Sequence, residues 1–207
     1  MAQLIDISPA LTEDLAVWPG DVPYRRYTSS CIDAGDHLEL SSIRTTVHVG
    51  AHADAPSHYV KGGQGIGERS LEYYYGPCQV LQVNTVPGRR IFPGDLDGTI
   101  QAPRLLLKTG TYPDPRRFHE DFSSLSPELV RHAHDAGVIL IGIDTPSVDP
   151  FSDKMLESHQ ALARHDMANL EGLVLEAVKP GHYTLIALPL RIPDADASPV
   201  RAVLIPA

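Results

Sequence analysis

The chain has 207 residues, 43% hydrophobic and 21% charged, the make-up of an ordinary globular protein able to bury a full core in one domain, 1–207. Its formal net charge of −9 excludes the basic footprint that nucleic acid requires and opposes approach to an anionic membrane. No apolar run approaches the roughly 18 residues of a membrane span, and the opening MAQLIDISPALTEDLAVWPGD lacks the basic start of an export signal, so a cytoplasmic location is expected.

Residues 43–49 read as the first clear strand, being rich in β-branched side chains. Further strands are predicted over 78–83 and 104–109. Cys31 and Cys78 form no close metal pair and read as incidental thiols, with a disulfide between them as the alternative. In SPELVRHAHDAG, Ser126 suits a helix cap, Pro127 the first turn and Gly137 the stop. An apolar strand over 138–143 follows at once. Asp144, at its end, is either a site residue or the cap of the next turn. A second helix is expected over 155–165, and strands over 184–190 and 200–205. The 16 glycines and 18 prolines are spread throughout, cutting the chain into short segments. Strands outnumber helices without regular alternation, which predicts a mixed-sheet or barrel-like α/β fold instead of a doubly wound one.

The chemistry concentrates in TTVHVGAHADAPSH. His48, His52, Asp54 and His58 fall within one short stretch of a chain that has 10 histidines in all. Imidazole nitrogen and carboxylate oxygen are the donors that zinc and manganese take. Gly50, Pro56 and the β-branched run before His48 argue against a helix. In an extended chain positions 48, 50, 52 and 54 share a side, and the missing side chain at Gly50 would leave room for a metal and a water. His58 lies past the Pro56 turn, where its ring can fold back over the site. His132 and His134, two apart on a helix, diverge; with His37, His119 and His182 they read as structural or surface residues. His159 and the later Glu171, with Asn169 and Gly172 nearby, form a weak pair on spacing alone.

The run H-V-G-A-H-A-D-A-P-S-H resembles the H-x-G-T-H-x-D-x-P-x-H motif of the cyclase-like metal-dependent hydrolases. Within that family the likeness is to bacterial formamidases, carried by WPGD at Trp18 to Asp21, GIDTPSVDP, His159, Glu171 and the late LIALPL and DASPVRA segments. It covers nearly the whole chain. One departure is Ala51, where the family has threonine, which puts a supporting hydrogen bond in doubt but no ligand. The resemblance implies a swivelling β/α/β barrel-like domain, usually a homodimer. It implies hydrolysis of N-formyl-L-kynurenine to L-kynurenine and formate in tryptophan breakdown. It also implies two divalent ions, usually zinc, with a bridging hydroxide: one on His48, His52 and Asp54, the other on Asp54, His159 and Glu171. His58 would be the acid/base and Trp18 a wall of the substrate pocket, with packing in the core as the other role open to Trp18.

Those residue types suit the reaction. A formamide reacts slowly with water, and two metals about 3.5–4 Å apart can activate both partners. The aniline nitrogen needs a proton as it leaves, which a histidine can supply. The rival readings are hydrolysis of another cyclic or acyl amide of the isatin type, and a metal-binding module without catalysis. A serine hydrolase is set aside because no G-x-S-x-G elbow is present.

Overall fold

The structure, a computed structural model, describes residues 3–207. Among these residues the strands are β1 Ile5–Asp6, β2 Arg25–Ser30, β3 Leu40–Arg44, β4 His52–Asp54, β5 Tyr75–Gln82, β6 Arg90–Ile91, β7 Arg104–Lys108, β8 Ser124–Leu125, β9 Leu140–Ile143, β10 Ala168–Glu171, β11 Gly181–Ile186, β12 Ala197–Pro199 and β13 Val203–Pro206. The helices are α1 Pro56–Tyr59, α2 Pro127–Asp135 and α3 Glu157–Arg164. Nine strands form one curled sheet in the order β1-β13-β11-β5-β7-β9-β10-β4-β12. Its centre, β5-β7-β9-β10, is parallel. Its flanks are antiparallel, so the sheet is mixed and the fold α/β, as the sequence suggests.

Side-chain alternation sorts the core onto the two faces of this sheet. Cys78, Val80, Leu106, Leu140, Leu170 and Leu185 pack on one face. Leu81, Leu105, Leu107, Ile141 and Ile143 pack on the other, beneath Leu129, Val130 and Ala133 of α2 and Ala161 and Leu162 of α3. The uninterrupted Leu105-Leu106-Leu107 run of β7 is what a central parallel strand covered on both faces requires.

The α2 boundaries follow their sequence signals. Ser126 Oγ accepts from the Leu129 amide at 3.1 Å, Pro127 fills the first turn, and Gly137 takes a positive φ of 87°. The other helix begins at Glu157, not Met155. Asp153 takes the amides of Met155, Leu156 and Glu157 with its carboxylate, and Leu156 is left-handed at φ 52°. The strand expected over 43–49 also stops early. β3 ends at Arg44 and the chain turns through 47–50, with Gly50 at φ +59°. The strands expected over 184–190 and 200–205 begin three residues to either side of their expected starts, at Gly181 and Val203. Cys31 and Cys78 are both free thiols.

Candidate metal centre

The centre grows out of a two-residue alternation. On β4, His52 and Asp54 point to one side, while Ala51, Ala53 and Ala55 point to the other and enter the apolar core. Ala51 is 2% exposed among these apolar groups. Where the family's threonine would bring a hydroxyl, this chain buries a methyl. β10 lies antiparallel beside β4 with Glu171 opposite His52, and Asn169, two residues earlier, shares the Glu171 face. Gly172 follows at φ +65°, and a Cβ there would collide with the Gly50 carbonyl. That close approach joins the end of β10 to the turn that carries His48.

Gly50 thus has a different use from the one its spacing suggests. Its positive φ breaks the extended chain between His48 and His52, and a Cβ at this position would meet Pro9, Leu11 and Leu15 at 3.1–3.3 Å. The space is filled by the N-terminal segment and holds no room for a metal. His48 reaches the site from the turn, with Nδ1 3.0 Å from Asp54 Oδ1 and Nε2 2.9 Å from Asp196. The carbonyl of Gly50 is 2.9 Å from His52 Nδ1, which turns His52 Nε2 toward Glu171 at 3.3 Å.

His159 enters from α3, with Nε2 3.2 Å from Asp54 Oδ2 and 3.3 Å from Glu171 Oε1. Its Nδ1 lies 2.9 Å from Asp149 Oδ2. Asp149 also accepts from the amides of Ser158 and His159 and from Arg90, so one carboxylate both caps α3 and orients its histidine. Asn169 donates to Asp54 at 2.8 Å and to Glu171 at 3.2 Å, and the Val148 amide donates to Glu171. His58, on the short α1 after Pro56, places Nδ1 3.5 Å from Asp196 and its ring 4.3 Å from that of His48.

The electrostatics follow from this crowding. Burial opposes charge on His48, but the nearby carboxylates of Asp54 and Asp196 win and lift it to about 9. Burial likewise works against protonated His52 and His159, and the surrounding carboxylates raise both. Asp54 resists burial and is held well below the carboxylate range by His159 and His48. His58 is lowered, chiefly by burial.

These residues fit a divalent cation. His52 Nε2 and Asp54 Oδ1 are buried without a hydrogen-bond partner. Asp54 Oδ1 has His48 Nδ1 at 3.0 Å and His52 Nε2 at 3.5 Å, yet neither meets it in hydrogen-bond geometry. The donors converge on the space between them, and a cation is the group that satisfies such a set. Two trios bring their donor atoms within 4.8 Å of one another: His48, Asp54 and His58, and His52, Asp54 and Glu171. Asp54 belongs to both. This grouping differs from the division that the resemblance implies, since it draws in His58 and leaves His159 beside the second trio.

A cavity of about 800 Å³ opens over the cluster, lined by His48, His52, His58, His159 and Glu171 at one end. Trp18, Tyr112, Phe118 and Phe151 line it further out. Trp18 stacks on Phe151 at 4.9 Å and meets Phe118 edge-on at 5.5 Å. Asp144 also borders the cavity, but its carboxylate is engaged by the amides of Thr109 and Gly110 and by the Thr109 hydroxyl. It braces the ends of β7 and β9, binding the turn after β7 instead of capping the turn that follows Asp144 itself. Asp149, Asp196 and Asn169 escaped the sequence reading of roles. A period-two signal could have found Asn169, whereas Asp149 and Asp196 act through pairings that only the fold creates. Away from the cavity, His134 and His165 stack at 4.2 Å. No helix among the described residues is long and apolar enough to cross a membrane.

Residues 5–150 match the Cyclase family model, described as "Putative cyclase". The kynurenine formamidase of Bordetella pertussis (strain Tohama I) is 45% identical over 207 residues, covering 99% of this chain and 98% of that protein. The kynurenine formamidase of Maricaulis maris (strain MCS10) is 41% identical over 206 residues, covering the same shares. Among solved structures, a potential metal-dependent hydrolase with cyclase activity has a TM-score of 0.84 at 28% identity, covering 99% of this chain and 98% of that one. Isatin hydrolase A from Labrenzia aggregata shares the fold, with a TM-score of 0.81 at 22% identity, covering 99% and 94%. With a family match over most of its length and full-length likeness to these enzymes, the chain belongs to the cyclase family of metal-dependent hydrolases.

Proposed function

We propose that this enzyme hydrolyses N-formyl-L-kynurenine to L-kynurenine and formate, a step of tryptophan breakdown, as a cytoplasmic homodimer. The observation that carries the reading is full-length 45% identity to a kynurenine formamidase. The cavity supports it by joining an imidazole–carboxylate cluster to an aromatic wall. His48, His52, Asp54, His159 and Glu171 would hold two divalent ions, with Asp54 shared and zinc suited to the donors. Bound there, the ions supply Lewis acidity that polarises a carbonyl and makes water more acidic.

The chain's own groups do the rest. Trp18, with Phe151 stacked on it, offers a face to the substrate's aniline ring and so sets the formyl carbon over the cluster. The oxygen of water adds to the formyl carbon, the C–N bond breaks, and the aniline nitrogen takes up a proton. His58 moves that proton. Held below the ordinary imidazole range by burial, it starts neutral, accepts the proton from water and returns it to the departing nitrogen. Asp196, facing both His58 and His48, steadies the imidazolium formed between the two transfers.

The test is turnover of N-formyl-L-kynurenine by metal-replete protein, followed by release of kynurenine and formate, with isatin assayed in parallel. Opening of isatin without deformylation would transfer the reading to the isatin-type alternative. Full activity after exhaustive chelation would end the metal reading altogether.

A further inference from the structure

Two lysines border the cavity, Lys108 and Lys154, and neither takes part in the chemistry above. Lys108 is already engaged. Its Nζ donates to the carbonyls of Glu176 at 2.7 Å and Val178 at 3.0 Å, tying β7 to the segment after β10. Lys154 is exposed and makes no ion pair among the described residues. Its Nζ lies over the Phe151 ring, 5.8 Å from the centroid, within reach of a cation–π contact. Phe151 in turn stacks on Trp18 at 4.9 Å. The Lys154 ammonium therefore stands beside the aromatic wall of the cavity.

The segment that carries Lys154 is held in place. Asp153, its neighbour, is the nearest competitor for its charge in the sequence, but both Asp153 oxygens are taken. Oδ1 accepts from the amides of Met155 at 2.7 Å and Leu156 at 3.1 Å. Oδ2 accepts from Arg90 at 2.7 Å and from the Glu157 amide at 3.1 Å. The Asp153 amide donates to the Pro150 carbonyl. These bonds fix the backbone on both sides of Lys154 and leave its ammonium free for a ligand. Asp21 and Glu176 border the same cavity, in a chain of net charge −9. An anionic ligand enters against that repulsion unless a cation meets it.

N-formyl-L-kynurenine brings such an anion. Next to the formamide nitrogen its ring carries an arm that ends, beyond a carbonyl, a methylene and the α-carbon, in a carboxylate. With the ring on Trp18 and the formyl carbon over the cluster, the arm leaves along the wall that Phe151 extends. We propose that Lys154 is the carboxylate subsite of the cavity, its ammonium pairing with the α-carboxylate of the substrate's amino-acid arm and favouring anionic formanilides over neutral ones. The inference rests on the formamidase reading above and adds to it a residue that recognises the part of the substrate remote from the reacting bond. A pair reached by solvent is screened, so its effect is modest. It falls on binding more than on bond breaking, because the carboxylate keeps its charge throughout the reaction.

The test compares kcat/KM for N-formyl-L-kynurenine with that for 2-formamidoacetophenone, which keeps the ring and ketone but lacks the amino-acid end. Both are measured on the metal-replete full chain. Lys154→Met should lower the ratio of the two roughly 3–10-fold, through KM. Lys154→Arg should keep most of the preference, and Lys154→Glu should lose more than Lys154→Met. Raising the salt from about 0.05 M to about 0.5 M should raise KM for N-formyl-L-kynurenine in the unmodified protein, and less so in Lys154→Met, because screening acts on the pair. An unchanged ratio in Lys154→Met and Lys154→Glu would overturn the subsite. So would an equal loss on both substrates, which would make Lys154 a prop for the Phe151 ring. Deformylation of neither compound by the unmodified protein would overturn the formamidase reading and the subsite with it, so the two failures are told apart before any variant is compared.

Discussion

His159 and His48 approach the same carboxylate, Asp54, through its two different oxygens, yet the fold treats them differently. The His159 side chain is 3% exposed and is fixed from behind by Asp149, itself bound by two amides and Arg90. Glu171 beside it is held by Asn169 and the Val148 amide. The His48 side chain is 18% exposed, sits on a turn, and leans on Asp196, whose side chain is 49% exposed. His58 rests on the same half-open carboxylate. The inner half is cross-braced at every member, which suits holding ions in fixed geometry. The outer half faces the cavity, where protons and substrate must come and go.

The largest effect falls on the residue that both halves share. Asp54→Ala should remove metal from both positions and bring activity to background, read by elemental analysis beside the formamidase assay. His159→Ala and Glu171→Ala, confined to the inner half, should lower metal content towards one ion and remove most activity. Two ions retained by both variants would show that these residues do not hold metal.

Next in size is His58→Ala. If His58 moves the proton, its loss costs roughly 10²–10⁴-fold in rate and one limb of the pH–rate profile, with metal content unchanged. A substrate with a more acidic leaving amine needs less protonation and should suffer less. Loss of an ion would instead make the trio of His48, Asp54 and His58 a binding site, as its spacing within 4.8 Å permits.

Asp149→Asn probes the inner bracing. The amide keeps the shape but loses the charge that favours His159 Nδ1–H, so metal affinity should fall by about 10–100-fold. An unchanged affinity would show that the bracing serves the α3 cap alone. Protonation adds a sign to this comparison. In metal-free protein the carboxylates outweigh burial and raise His48 to about 9, with His52 and His159 also raised. The metal-free fold therefore draws stability from His48 below about pH 6.5 and loses it as pH rises through about 9. Metal binding runs the opposite way, because an ion must displace those protons, so affinity climbs with pH over that window. Calorimetry at pH 7 in buffers of different ionisation enthalpy should detect proton release; a buffer-independent heat would contradict it.

How much of this was written in the chain can be judged residue by residue. The clustering of His48, His52, Asp54 and His58 is local and could be read directly, as could the α2 cap at Ser126 and Pro127. The mixed sheet followed from short apolar runs without alternation. Gly50 misled, because the same missing side chain serves an open space or a positive φ, and only the packing of Pro9, Leu11 and Leu15 decides between them. Asp149 and Asp196 carry no signal of their own. Asp149 is 10 residues from His159 across a loop, and Asp196 is 148 from His48, so their roles exist only once that loop has folded onto α3 and β12 has come beside β4.

The smallest expected effect lies furthest out, at Trp18, and there the comparison between bracing and openness is sharpest. Trp18 is only partly buried, and its neighbours Phe118, Phe122 and Phe151 are all aromatic. A core tryptophan and a pocket wall therefore predict different losses. Aromatic contacts of this kind are worth about 0.5–1.5 kcal/mol beyond burial, so Trp18→Leu, if it removes a substrate contact, should raise KM roughly 2–10-fold. kcat should stay nearly unchanged, because the lost contact is equally strong in ground and transition states. N-formylaniline, which lacks the amino-acid arm, should show the same relative loss, since the ring and not the arm lies on Trp18. If instead Trp18 is part of the structural core, the variant lowers the melting temperature and leaves KM where it was. A fall in kcat at constant KM would show that the aromatic wall positions the formyl group in the transition state, and would move Trp18 from the open half of the site into its chemistry.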